Sequence, residues 1–337
     1  MATGKVSPSL AVLALLVLAG TTYSAKAQSA TSSRIERGVS SQASELHGRN
    51  RILEELRTLR LSLHNSQSQT EAAVKPATAH VKAYNFQTVD FPGASFSEVF
   101  DYSDATAVGS VEITSGTPLN AFTFHGSAYR VLNVPQAATA DPFGINASGT
   151  IVGLYFDSSN TGHGFIDDAG VFTTYDFSGA SYTELDAISD SGILVGSTLV
   201  AGVDHGFTDD HGTITTIDYP GASATSAFSV NSNGDVVGAY TLNGARHSFL
   251  WQNSQFSTID FPLAVSSSPF SINDAGDIAG SYVDSIGEHG YIYSRGIFHI
   301  VDVPFAKATT IDRLNNKGIV AGSFVDDRGE FHGMTGR

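Results

Sequence analysis

The sequence predicts an all-β fold, a six-bladed β-propeller of four-stranded antiparallel blades, and three observations predict it. The chain repeats from residue 84 onward, with copies starting at Phe86, Tyr129, Phe172, Ile214, Phe256 and Phe298, a period of 42 or 43 residues. Each copy holds several short runs of β-branched and aromatic residues bounded by turn residues. No copy carries a helical period, and a repeat of this length built from four short strands is a propeller blade.

The elements follow in chain order. Lys5 and the apolar run Leu10 to Gly20 precede Ala25-Lys26-Ala27, the pattern of a cleaved export signal over residues 1–27. The run is too short to span a bilayer, so no transmembrane span is expected in the mature chain. No Cys follows the apolar run, which disfavours a lipid anchor. Residues 28–82 read as a linker with an amphipathic helix at about 41–65. There Ile52, Leu56, Leu59 and Leu63 form one stripe, with Arg49, Arg51, Arg57 and Arg60 mostly off it.

Residues 83–337 are the propeller. In the copy from 214 to 254, ITTIDYPGA is a strand closed by a Pro-Gly turn. SAFSVN, DVVGAY and HSFLW are the three strands that follow. Blades normally run from the innermost strand outward. The chain then starts with an outermost strand, Phe86 to Phe91, and ends with three strands of a blade, so the N-terminal strand should complete the last blade. Closure removes the free edges that would invite aggregation.

Composition narrows the partners. The chain has no Cys, so disulfides, thiol nucleophiles and Cys-based metal sites are excluded. Residues 83–337 hold 8 Lys and Arg against 28 Asp and Glu, whereas residues 1–82 hold 10 against 5. So acidic a body repels phosphate backbones, which argues against nucleic acid.

A ladder of His and Asp recurs. His163, His205, His247 and His289 each lie 13 residues before Asp176, Asp218, Asp260 and Asp302. A two-residue turn between the third and fourth strands puts each His opposite its Asp. His332 should pair with Asp90 across the ring closure. In the first hairpin both members change together, to Asn120 and Asn133. One pair per blade at matched positions reads as a structural device, because a functional site normally breaks the repeat.

The units resemble the HAF repeats of bacterial extracellular proteins. The likeness lies in Ile-Asn-x-x-Gly-x-Ile-Val-Gly, at Ile145 to Gly153 and, with Ala279 for Val, at Ile272 to Gly280. A His-x-Phe strand follows, as at His163-Gly164-Phe165 and His247-Ser248-Phe249. The resemblance covers residues 84–337 and implies an exported, propeller-like architecture, secreted or periplasmic. It implies no activity.

Connectivity sorts the loops onto two faces. Asn-x-x-Gly turns and x-Gly turns share one face. The Pro-Gly-Ala segments and the longer loops after Val-Gly-x-Tyr share the other, and variable loops are the usual binding surface of a repeat fold. The ligand-binding candidates there are Asp141, Asp157, Glu184, Asp284, Glu288 and Asp326. No cofactor is predicted, although a carboxylate cluster makes Ca²⁺ a candidate. No metal-protease, serine-hydrolase, phosphate-loop or dinucleotide motif is present.

The favoured expectation is a non-enzymatic exported propeller that binds an unidentified ligand or partner, carbohydrate or protein, on the variable-loop face. One alternative is a glycosidase or lyase using acids of that face, such as Asp141, Glu184 and Asp284. Another is a structural or surface protein that assembles through the N-terminal helix.

Overall fold

The computed structural model describes residues 80–81, 83–94, 96–103, 105–113 and 119–337. The export signal and the 41–65 helix lie outside the described residues. The described chain contains no helix. Six antiparallel four-stranded sheets succeed one another along the chain, and their innermost strands follow in a ring from Phe96–Ser103 to Ala308–Leu314, which returns to the first. The protein is therefore a six-bladed β-propeller. Among the described residues no helix is long and apolar enough to cross a membrane.

Blades 1 to 5 are each built from consecutive strands, inner to outer. Blade 4 runs Ala224–Val230, Val236–Leu242, Ala245–Gln252 and Gln255–Thr258. Blade 6 takes three strands from the C-terminus, Ala308–Leu314, Val320–Val325 and Phe331–Gly336. Its outer strand is Phe86–Thr88 from the other end of the chain. The register is antiparallel, with Phe86 opposite Gly336 and Thr88 opposite Met334. Val89 N–H donates to Gly333 O at 2.7 Å, and Asn85 and Arg337 exchange two backbone bonds. The ring is thus closed as the repeat boundaries require. Blade 5 gains a fifth strand that the sequence did not announce, His80–Val81, parallel to Ile297–Val301.

The core lies between the blades. Val89, Val99, Phe122, Ile319 and Ala321 join blades 6 and 1, and Ile217, Ala227, Val236, Tyr240 and Phe249 join blades 3 and 4. The residue two places after each His is the main filler, and Phe165, Phe207, Phe249, Tyr291 and Met334 are all at most 1% exposed. Each inner strand carries a β-bulge at one matched place, as between Ala227 and Ser229. The bulge brings the carbonyl of Ser226 against Gly238 on the second strand, where any Cβ would overlap the oxygen. The same Gly recurs at 109, 153, 196, 280 and 322, each facing an inner-strand carbonyl. This is the physical reason for the Gly that follows Val or Ala on the second strand of every repeat.

Candidate functional site

The x-Gly turns have both central residues at positive φ, as in His211 (50°) with Gly212 (93°) and Arg295 (52°) with Gly296 (83°). Such turns set a two-residue hairpin register, and that register brings each His to its Asp. His163 Nδ1 lies 2.8 Å from Asp176, and His205 Nδ1 lies 2.9 Å from Asp218. His247 Nδ1 lies 2.7 Å from Asp260, and His289 Nδ1 lies 2.9 Å from Asp302. At the ring closure, His332 Nδ1 lies 2.7 Å from Asp90. A carboxylate only accepts, so Nδ1 carries the hydrogen in every pair.

Two features of this ladder escaped sequence reasoning. Four of the imidazoles stack on the aromatic residue of the second strand. His163 stacks on Tyr155, His247 on Tyr240, His289 on Tyr282 and His332 on Phe324, with ring centroids 4.9 to 5.2 Å apart. The Tyr of Val-Gly-x-Tyr was the available signal. The Asp also takes a backbone N–H, as Asp260 does from Ser248 at 2.7 Å. The pairs stand one in each of blades 2 to 6 and do not converge. His247→Ala is expected to destabilise the fold by about 1 kcal/mol, since the pair is partly solvated. Thermal unfolding measures it; an unchanged midpoint would remove the structural role.

The six acidic candidates do not form one open site. Asp141, Glu184 and Glu288 are 6%, 0% and 3% exposed. Asp141 accepts a bond from Ser110 of the preceding blade, and Glu288 accepts from Ser281 at 2.9 Å. Glu184 accepts from the Tyr182 hydroxyl at 2.6 Å. Burial first, and then the Glu184 carboxylate, push the Tyr182 phenol well above its ordinary value. All three are buried, and each accepts a hydrogen bond from a hydroxyl, across the blade seam at Asp141 and within its own blade at Glu184 and Glu288.

Asp157, Asp284 and Asp326 cap their own loops. Asp157 Oδ1 accepts from the backbone of Ser159 and Thr161, both at 2.8 Å. Asp326 Oδ1 accepts from Arg328 at 2.9 Å and Glu330 at 2.8 Å. The outer nitrogen of a ladder His faces each carboxylate, at Oδ2 in Asp157 and Asp326 and at the capping Oδ1 in Asp284. Asp157 lies 3.8 Å from His163 Nε2, while Asp284 and Asp326 each lie 3.7 Å from Nε2 of His289 and His332. The backbone bond from Thr161 leads the causes that lower the Asp157 carboxyl below its usual value. For Asp326, partial desolvation pushes upward, but the backbone bonds and His332 outweigh it and the net shift is downward. In blades 3 and 4 this loop shrinks to the two-residue turns Ala201-Gly202 and Asn243-Gly244, so the face is less uniformly long-looped than the sequence suggests.

The concave feature lies on the opposite face, among the Asn-x-x-Gly turns. A cavity of about 280 Å³ is lined by the ion pair of Arg313 with the buried Asp101, with Nε 3.0 Å from Oδ1. Asn316 of blade 6 reaches across its mouth to Asp190 of blade 3 and to Asp274, both at 2.9 Å. The volume falls just under the roughly 300 Å³ at which ligand pockets begin. The polar groups of its lining and mouth bond one another across the blades.

The variable-loop face carries an apolar feature instead. Leu263 is 88% exposed and Phe305 is 95% exposed. They occupy the third-residue position of the Pro-x-Ala turns on either side of blade 5, at φ 64° and 67°. Gly93, Gly179 and Gly221 fill that position in three of the other repeats, at φ 80° to 83°, and Gln136 fills it in the fourth at φ 68°. Val265 and Ile286, each 50% exposed, lie on the same face around the same blade.

Comparison with known proteins extends the fold and nothing finer. No protein-family model matches the chain, and no curated protein does. Its backbone is similar to that of TolB from Acinetobacter baumannii, with a TM-score of 0.50 at 11% identity, over 69% of this chain and 64% of TolB. The chain thus spans under two thirds of TolB's length. AofleA from Arthrobotrys oligospora aligns over 78% of this chain and 91% of its own, with a TM-score of 0.48 and 13% identity. The fucose-specific lectin of Aleuria aurantia, a six-bladed β-propeller, aligns over 74% of this chain and 93% of its own, with a TM-score of 0.44 and 10% identity.

Proposed function

We propose that this is an exported, non-catalytic propeller, related to the HAF-repeat proteins, that binds a polypeptide partner through the apolar tips around blade 5. One observation carries the binding reading: two large apolar side chains stand almost fully in solvent at backbone positions suited to glycine. A left-handed backbone costs an ordinary residue about 1–2 kcal/mol, and exposed Leu and Phe contribute nothing to the core. The fold does not need them, since three of the repeats use Gly there. Large apolar side chains exposed on one face are where a contact is sought. The acidic body, with 28 carboxylates against 8 basic residues over 83–337, favours a basic amphipathic segment as the occupant. Export rests on residues 5–27 and places the protein in the periplasm or outside the cell.

The enzyme reading gains less support, because Asp141 and Glu184 are buried and Asp284 caps its own loop. The test uses the mature chain and its Leu263→Gly/Phe305→Gly variant, each probed against an array of basic amphipathic peptides and an array of glycans. The expected result is peptide binding that falls at least tenfold in the double variant while the melting temperature rises or holds. Glycan binding without peptide binding, or equal peptide binding by both chains, would refute the proposal.

A further inference from the structure

We propose that blade 6 carries a divalent transition-metal site, of the Zn²⁺ or Mn²⁺ class, made by Asp326, Glu330 and His332 and tied to the closure of the ring. One donor atom from each of the three lies within 4.8 Å of the others. His332 is oriented for ligation. Its Nδ1–H is donated to Asp90 at 2.7 Å, which leaves the Nε2 lone pair pointing outward in the neutral ring. That nitrogen lies 3.7 Å from Asp326 Oδ2, too far for a hydrogen bond. Ligand bonds of about 2.0–2.2 Å from each side fit that gap around one cation. Asp326 Oδ1 is already committed to its loop backbone, so Oδ2 is the oxygen left to ligate. A carboxylate that holds the far nitrogen of a ligating imidazole is the usual support of such a site.

The other blades act as internal controls. Blades 2 and 5 repeat the Asp–His approach at 3.8 and 3.7 Å. Blade 2 has Thr161 in the place of Glu330, and blade 5 has Gly287 two residues before its His. Only the DDRGE loop of blade 6 adds the third donor. An imidazole in the donor set selects a transition metal over Ca²⁺, which takes six to eight oxygens.

The location has a consequence. Asp90 belongs to the N-terminal segment and His332 to the C-terminal strand, so a metal held on His332 favours the closed ring by mass action.

The experiment is calorimetric titration of the mature chain with Zn²⁺, Mn²⁺ and Ca²⁺ in a non-chelating buffer, with melting temperatures read in parallel. The expected result is one equivalent of Zn²⁺ or Mn²⁺ bound, with a raised melting temperature that EDTA reverses. Glu330→Thr, which copies blade 2 on an exposed loop, should weaken binding at least tenfold and leave the metal-free melting temperature unchanged. Asp90→Asn should weaken it by about 10- to 100-fold, whereas Asp176→Asn in blade 2 should not alter it. Binding that survives Glu330→Thr, no binding at millimolar metal, or an equal response to Ca²⁺ would overturn the proposal.

Discussion

A chain that begins at residue 92 is expected to lose cooperative unfolding altogether. It lacks the outer strand of blade 6 together with Val89 and Asp90. Val89 is fully buried among Val99, Phe122 and Ala321, and Phe86 packs on the core shared by blades 5 and 6. Each large apolar side chain contributes about 1.5–3 kcal/mol on full burial. The lost strand also forfeits its ladder with Phe331–Gly336 and the His332–Asp90 bond. Together these approach the roughly 5–15 kcal/mol by which a domain is stable. The deletion further leaves the strand Phe331–Gly336 as a bare edge. A chain that begins at residue 83 keeps every one of these contacts and should melt close to the full mature chain. Circular dichroism melting of both chains, with light scattering, reads the difference. Equal cooperative melts would remove the closing role.

Gly238→Ala is the second large effect, expected to destabilise by about 3 kcal/mol or more. The added methyl meets the carbonyl oxygen of Ser226 and the ring of Phe249, both part of a buried, bulged sheet that cannot shift without moving the neighbouring blade. Over-packing of well-filled interiors typically costs 1–3 kcal/mol, more where backbone must move. Gly170→Ala is the control. Its turn position is strained for any side chain, but nothing lies within 4 Å of the new Cβ, so a cost nearer 1 kcal/mol is expected. Denaturant unfolding separates them; similar losses at both sites would show that backbone conformation, not the bulge contact, explains the repeated Gly.

What could be read before the structure was whatever the repeat makes redundant. The period, the turn residues and the 13-residue spacing of His247 and Asp260 state the same register independently, so strand pairing and ring closure follow from local chemistry. The acidic candidates were harder to place. Asp141 and Asp157 look alike in sequence, yet one points into the seam between blades toward Ser110 and the other caps a surface loop. Only the twist of neighbouring sheets decides between them. Leu263 and Phe305 read as ordinary apolar residues, because sequence alone does not say that a Pro-x-Ala turn holds the middle residue at positive φ. The two-residue strand His80–Val81 is too short to carry any periodic signal.

The most direct measurement uses the absence of cysteine from the chain. Gln87 and Thr335 stand opposite each other in the closing pair of strands, so a Gln87→Cys/Thr335→Cys variant has one disulfide available to it. Oxidation should give a single intramolecular crosslink in the monomer, with melting raised as expected for a staple closing a very long loop. A monomer that fails to crosslink, or that crosslinks no better than a Gln87→Cys/Thr258→Cys control joining blade 6 to blade 4, would contradict a ring fastened by its own amino-terminal strand.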